Sequence, residues 1–76
     1  MTARQVIELT EARRLLRSGE ARRIRLDAGL SQPEIARTIG VTAGAISRWE
    51  TCSRRPIGAA ALAYAELLTS LRKVEV

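Results

Sequence analysis

Leu30-Ser31-Gln32-Pro33-Glu34-Ile35-Ala36-Arg37-Thr38-Ile39-Gly40-Val41-Thr42-Ala43-Gly44-Ala45-Ile46-Ser47-Arg48-Trp49-Glu50 is the stretch that decides the fold. Ser31 followed three residues later by Glu34 is a capping-box pattern, and Pro33 falls in the first turn, where a missing N–H costs little. Ile35, Ala36 and Ile39 then make one apolar face until Gly40 stops the helix. Thr42 is placed to cap a second helix, whose apolar stripe is Ala45, Ile46 and Trp49. The expected pair is therefore Gln32 to Ile39 and Thr42 to Glu50, joined at Gly40-Val41. Helices this short cross steeply only if their backbones approach closely, which favours a small residue such as Ala36; the turn needs the permissive backbone of Gly40, and Val41 plugs the corner. The second helix is held by one face and leaves Ala43, Gly44, Ser47 and Arg48 on the other.

Upstream, Ala21, Ile24 and Ala28 recur at helical spacing, and Gly29 stands where a left-handed cap would end that helix. Ser18-Gly19 interrupts the chain before it, with Ser18 able to cap the new helix. Thr10 is an N-cap candidate for a short helix from Glu11 to Arg17 with Ala12, Leu15 and Leu16 on its inner face. Met1 to Leu9 is open between an edge strand, an arm and the start of a helix. Downstream, Thr51 to Arg55 form a polar, basic loop, and Pro56 fits at or just before a last helix. Ala60, Ala61, Tyr64, Leu67, Leu68 and Leu71 carry that helix to Arg72 and Lys73, cations suited to its C-terminal end. The expectation is an all-α, compact bundle of four to five helices, with residues 1–18 as an N-terminal extension and residues 19–76 as the domain proper.

Composition agrees with helices: the apolar residues are mainly Ala, Leu, Ile and Val, without Phe and with Trp49 and Tyr64 as the only aromatics. The chain carries 13 Lys+Arg against 8 Asp+Glu, net +5, and all but Lys73 of the cations are Arg. Arginine's planar fork suits phosphates and guanine edges, so a polyanionic partner is indicated. Cys52 is the single cysteine, which rules out an intrachain disulfide and a cysteine-based metal cluster, and it is read as an incidental thiol. The chain has no His, no glycine-rich phosphate loop and no paired carboxylates around a cleft, so neither enzyme activity, nor a cofactor, nor a small-molecule substrate is expected. No apolar run is long enough to span a bilayer and no signal-peptide pattern opens the sequence, which gives the expectation of a cytoplasmic protein with no membrane partner.

The register Leu30-Ser31-Gln32-x-Glu34-Ile35-Ala36-x-x-Ile39-Gly40-Val41-Thr42-x-x-x-Ile46-Ser47-x-Trp49-Glu50, followed by Arg54-x-Pro56, resembles the Cro/CI (XRE) family of helix-turn-helix DNA-binding domains over about residues 19 to 71. The resemblance implies a lambda-repressor-like bundle whose second short helix reads bases in the major groove. It implies that Thr42, Ala43, Gly44, Ser47 and Arg48 face the groove and that Gln32 contacts a phosphate and braces the reading helix. Arg54 and Arg55 would meet the DNA backbone from the loop, with Arg37 as a further phosphate contact. Two departures stand out. Cys52 occupies a position where the family commonly has Gly, and a Cβ on a left-handed backbone costs on the order of 1 kcal/mol. Ala43, Gly44 and Ala45 offer no hydrogen bonds to bases, which leaves direct readout to Arg48, with Ser47 and a thymine-methyl contact from Ala43, and the remainder to DNA shape.

Among the other arginines, Arg13, Arg14, Arg17, Arg22, Arg23 and Arg25 cannot form one stripe, and Arg25 is a candidate to pair with Glu50 or Glu34. Trp49 shares the register of Ile46 and is read as core rather than as a stacking platform. The expected function is a sequence-specific, repressor-like transcriptional regulator that occupies an operator as a homodimer, in a bacterial or phage-infected cell. The pairing surface is either the Glu66–Val76 end or the Gln5–Leu16 segment. The alternatives are an antitoxin, a phage Cro-like or excision accessory factor, or a protein-interaction adaptor on the same fold; RNA binding is disfavoured by the shortage of exposed aromatics.

Overall fold

A computed structural model describes residues 1–73 of the chain. Five helices follow one another: α1 (Ala3–Ser18), α2 (Glu20–Asp27), α3 (Gln32–Ile39), α4 (Ala43–Glu50) and α5 (Gly58–Arg72). No strand occurs among the described residues, so the all-α expectation holds.

The start of the chain resolves one open question and corrects one expectation. Residues 3–9 are helical, and α1 runs without a break through Thr10. Its cap is Thr2, not Thr10: the Gln5 N–H donates to Thr2 Oγ1 at 3.1 Å and the Thr2 N–H donates to Gln5 Oε1 at 2.8 Å. Such a reciprocal box satisfies two donors at once, which the isolated Thr10 could not match. Leu9, Ala12, Leu15 and Leu16 fall on one face of this longer helix and are all buried, chiefly through packing between α1 and α5. The N-terminal segment thus contributes to the single core.

Gly19, at φ 84°, closes α1 and opens α2 within one residue. It occupies the cap position of α2 itself, while the neighbouring Ser18 Oγ accepts the Glu20 N–H at 3.3 Å. On α2, Ala21 is fully buried and Ile24 packs against the core, but Ala28 is exposed. The side chain that takes its expected place inside is Arg25, long enough to reach across to α4. Gly29 adopts the left-handed conformation at φ 73°, which lets the Leu30 N–H return to the Arg25 carbonyl at 3.1 Å.

The core is continuous across all five helices. Leu15, Ile35, Ile46, Tyr64 and Leu68 are its fully buried large side chains, joined by Pro56 of the α4–α5 loop. Trp49 and Tyr64 meet with ring centroids 5.0 Å apart at 57°, a tilted arrangement that suits two aromatic quadrupoles. Burial pushes the Tyr64 phenol above its ordinary range, with the Glu50 carboxylate acting in the same direction.

Candidate nucleic-acid interface

The unit expected at residues 32–50 forms as its capping chemistry dictates. Ser31 and Glu34 exchange both bonds of the box, at 3.2 and 2.9 Å. Glu34, held by the Ser31 N–H and hydroxyl, has its pKa lowered from the ordinary carboxylate value. Gly40 ends α3 in the left-handed region at φ 76°, and the Val41 N–H donates to the Ala36 carbonyl at 2.9 Å. Thr42 Oγ1 then accepts the Ala45 N–H at 3.1 Å and starts α4. Ala36 is buried where α3 and α4 meet, as a close approach of two short helices requires.

Three contacts fix α4. Ile46 and Trp49 plug it into the core, 0% and 5% exposed. At its C-terminal end Glu50 receives the Arg25 Nε–H at 2.7 Å and an Arg25 NH2 proton at 2.9 Å, a two-pronged ion pair with both side chains almost completely buried. Arg25 also donates to the Leu30 carbonyl at 2.9 Å, and Gln32 Nε2 donates to Glu50 Oε1 at 3.1 Å. Of the two partners open to Arg25, the structure selects Glu50. Burial by itself would raise the Glu50 pKa; the hydrogen bonds from Arg25 and Gln32 outweigh it and hold the carboxyl below its ordinary value. The bond to Glu50 correspondingly raises that of Arg25. One buried carboxylate thereby ties α2, the start of α3 and the end of α4 together.

The opposite side of α4 is open. Thr42, Gly44 and Arg48 are exposed, and Ala43 and Ser47 are half-buried. Arg48 has no carboxylate partner among the described residues. Its guanidinium lies back over Gly44, where a Cβ would stand 3.1 Å from Arg48 NH1. This geometry is that of a helix anchored on one face and free on the other.

The family model described as "Helix-turn-helix domain" matches residues 18–72. The chain belongs to the helix-turn-helix domain family. The match lies within the XRE-like group and is consistent with the Cro/CI resemblance. No curated protein and no solved structure matches the chain. Helix-turn-helix domains are DNA-binding modules, and α3 and α4 are the two helices of this one.

Around the helix-turn-helix unit, the structure sorts the remaining arginines. Arg37 is exposed on the last turn of α3. Arg54 and Arg55 are exposed in the loop after α4. That loop is tied down, because the Ser53 and Arg54 N–H groups both donate to the Arg48 carbonyl, at 2.9 and 3.2 Å. Cys52 is left-handed at φ 62°, so the loop retains the backbone for which glycine is suited and carries the strain of a side chain there. Its thiol donates weakly to the Leu16 carbonyl at 3.6 Å. Arg14 pairs with Glu11 at 2.7 Å, and Arg72 reaches the same carboxylate at 3.1 Å. Arg22 and Arg23 are exposed on α2. Arg13 and Arg17, by contrast, stand beside Arg54 and Arg55. Their i, i+4 spacing within the expected Glu11–Arg17 helix was the available signal, but their placement beside the loop after α4 is a tertiary contact that spacing does not give. No helix among the described residues is long and apolar enough to cross a membrane.

Proposed function

We propose that the chain is a sequence-specific, duplex-DNA-binding transcriptional regulator that lays α4 in the major groove and acts by occupying an operator. The observation that carries this reading is the division of α4 into a face bolted to the core by Ile46, Trp49 and Glu50 and an open face bearing the unpaired Arg48. A base-reading helix must not shift when it docks, and the buried Arg25–Glu50 pair supplies that rigidity. Arg48 reads guanine through its O6 and N7 acceptors, a bidentate contact that contributes about 1–3 kcal/mol of discrimination. Thr42 and Ser47 offer hydroxyls, Ala43 meets a thymine methyl, and Gly44 lets the helix backbone approach the base edges. Gln32, Arg37, Arg54 and Arg55 contact phosphates, with Gln32 held in place by its bond to Glu50.

One eight-residue helix reads only a few base pairs. The protein therefore binds as a homodimer, with two copies of α4 about 34–36 Å apart on a near-palindrome. Of the two expected pairing surfaces, the Gln5–Leu16 segment has committed Leu9, Ala12, Leu15 and Leu16 to the core and retains Val6 and Ile7 as exposed apolar groups. On the Glu66–Val76 surface, Leu67 and Leu71 are half-buried, and residues 74–76 lie outside the described part.

Selection of bound sequences from a pool of random duplexes, followed by titration of the selected site at several salt concentrations, tests the proposal. The expected outcome is a two-fold-symmetric site bound with a steep salt dependence. A pool that remains random, or retention of duplexes that ignores salt, refutes the reading and favours a protein-interaction adaptor.

A further inference from the structure

Arg54 and Arg55 share a cleft of about 260 Å³ with Arg13 and Arg17 of α1, over an apolar floor of Leu16, Trp49 and Pro56. Four arginines therefore line one space, with no carboxylate among its described lining residues. None of the four is in an ion pair among the described residues. Like charges gathered in this way repel unless an anion joins them. Arg13 sharpens the point. Its NH2 donates to the Pro56 carbonyl at 3.1 Å, which fastens α1 to the loop, while its Nε is buried with no hydrogen-bond partner among the described residues. A buried cationic donor without an acceptor is costly, and an anion close to this guanidinium would offset that cost.

Size and place narrow the ligand. Pockets that take drug-sized molecules or cofactors run to about 300–1,000 Å³, larger than this one. A phosphate with part of its sugar fits, since the anion meets the arginines and the sugar's carbon face meets the apolar floor. The cleft also adjoins the C-terminal end of α4, because the loop forming one wall is pinned to the Arg48 carbonyl.

We propose that this cleft receives a phosphodiester of the DNA backbone beside the bases under Arg48, and that Arg17 and Arg13 are DNA-contacting residues supplied by α1. The inference rests on the DNA-binding reading above and extends it, since residues 13 and 17 precede the family match at 18–72. The chain's own first helix thus widens the backbone contact of its helix-turn-helix unit.

The test compares wild type, Arg17→Ala and Arg4→Ala on the selected site and on a random duplex. Arg4→Ala removes the same charge about 20 Å away along α1, well beyond the screening length of about 8 Å at physiological salt. Arg17→Ala is expected to weaken both duplexes alike and to lower the salt slope by about 0.9. The ratio of wild-type to variant affinity then shrinks about 3.5-fold between about 50 and 200 mM salt. Arg4→Ala leaves that slope unchanged. Cys52, exposed at the same cleft, gives an independent readout on the wild-type protein. Saturating duplex is expected to slow its alkylation by iodoacetamide, whereas millimolar inorganic phosphate leaves the rate near that of the free protein.

Duplex binding with an unchanged slope in Arg17→Ala and full Cys52 reactivity in the complex overturns the inference and leaves DNA binding intact. Protection by inorganic phosphate but not by duplex also overturns it, in favour of a small-anion site. Failure of the wild-type protein to bind any duplex is distinguishable from both and removes the underlying reading.

Discussion

Replacing Glu50 by Ala tests the mechanical claim on which the interface depends. The Glu50 side chain is 3% exposed and that of its partner Arg25 is 9% exposed. Truncation removes the acceptor of two Arg25 bonds and one Gln32 bond, and leaves the buried guanidinium with only the Leu30 carbonyl. Breaking a buried pair from one side costs about 3–5 kcal/mol. A single core in a chain of this size rarely supplies more than about 3–5 kcal/mol. Glu50→Ala is therefore expected to bring the protein to its unfolding midpoint, or past it, at 25 °C without denaturant. Urea titration followed by Trp49 fluorescence and by far-ultraviolet circular dichroism measures this directly. Arg25→Met combined with Glu50→Leu should recover most of the loss, because an apolar pair of similar volume avoids the desolvation penalty. The pair also fixes the acid limb. The Glu50 pKa in the folded protein lies below its ordinary value of 4.5, so the pair's contribution is complete above that value and is lost as pH falls through the folded one. Glu11, drawn down to about 2 by the Arg14 bond and then by Arg72, loses its contribution on the same side. Subtracting the pH profile of Glu50→Gln from that of wild type isolates Glu50. An Ala variant within about 1 kcal/mol of wild type would refute the argument, since breaking a buried pair from one side costs about 3–5 kcal/mol.

Arg48→Ala should relax preference at one base position of the selected site, whereas Arg54→Ala should weaken selected and random duplexes equally and lower the salt slope by about 0.9. Equal effects of both changes on both duplexes would overturn the assignment of Arg48 to bases. Gly44→Ala should raise stability by up to about 1 kcal/mol through helix propensity. Its new Cβ would stand 3.1 Å from Arg48 NH1 and displace that guanidinium, so the urea midpoint should rise while base preference changes; a lower midpoint would contradict this. Cys52→Gly should relieve strain of about 1 kcal/mol at the left-handed position, seen as a higher urea midpoint with unchanged slope, and a destabilised variant would show that the thiol contact with Leu16 matters more.

How much of this was legible in the sequence follows from the range of each interaction. The caps at Ser31, Thr42, Gly29 and Gly40 act within a few residues, so residue type and spacing were enough to place α3, α4 and the turn between them. The left-handed backbone at Cys52 was signalled only by the family resemblance, which commonly has Gly at that position. The beginning of α1 was not legible, because Thr10 reads as the cap and residues 1–9 stay open, whereas the helix starts at the Thr2–Gln5 box. Burial of Leu9, in the helix that packs chiefly on α5, accompanies the earlier start, and that contact joins opposite ends of the chain. Arg25 shows the same limit: its charge and helical register left Glu34 and Glu50 as partners, and only the packing of α2 against the end of α4 separates them. Ala28 was expected inside because it fits an apolar spacing, yet the inward place went to a longer, charged side chain that carries its own counter-ion. The arginine cleft draws on α1, the end of α4 and the following loop, so spacing along any one segment could not reveal it.

The division of labour on α4 has a consequence for how specificity can vary. Ile46 and Trp49 hold the helix, while Thr42, Gly44 and Arg48 lie in the open. Substitutions at Gly44 and Arg48 leave the core packing untouched and are expected to cost little stability, whereas Thr42 also caps α4 and its loss costs about 1 kcal/mol. Glu50 is different in kind, because the same carboxylate that anchors α4 also holds Gln32 at the start of α3. A change there is expected to alter together the angle at which α4, the proposed reading helix, is presented and the position of a proposed phosphate contact. In physical terms the residues free to redirect recognition are those without partners in the fold, and the residues that make recognition rigid are those with the most.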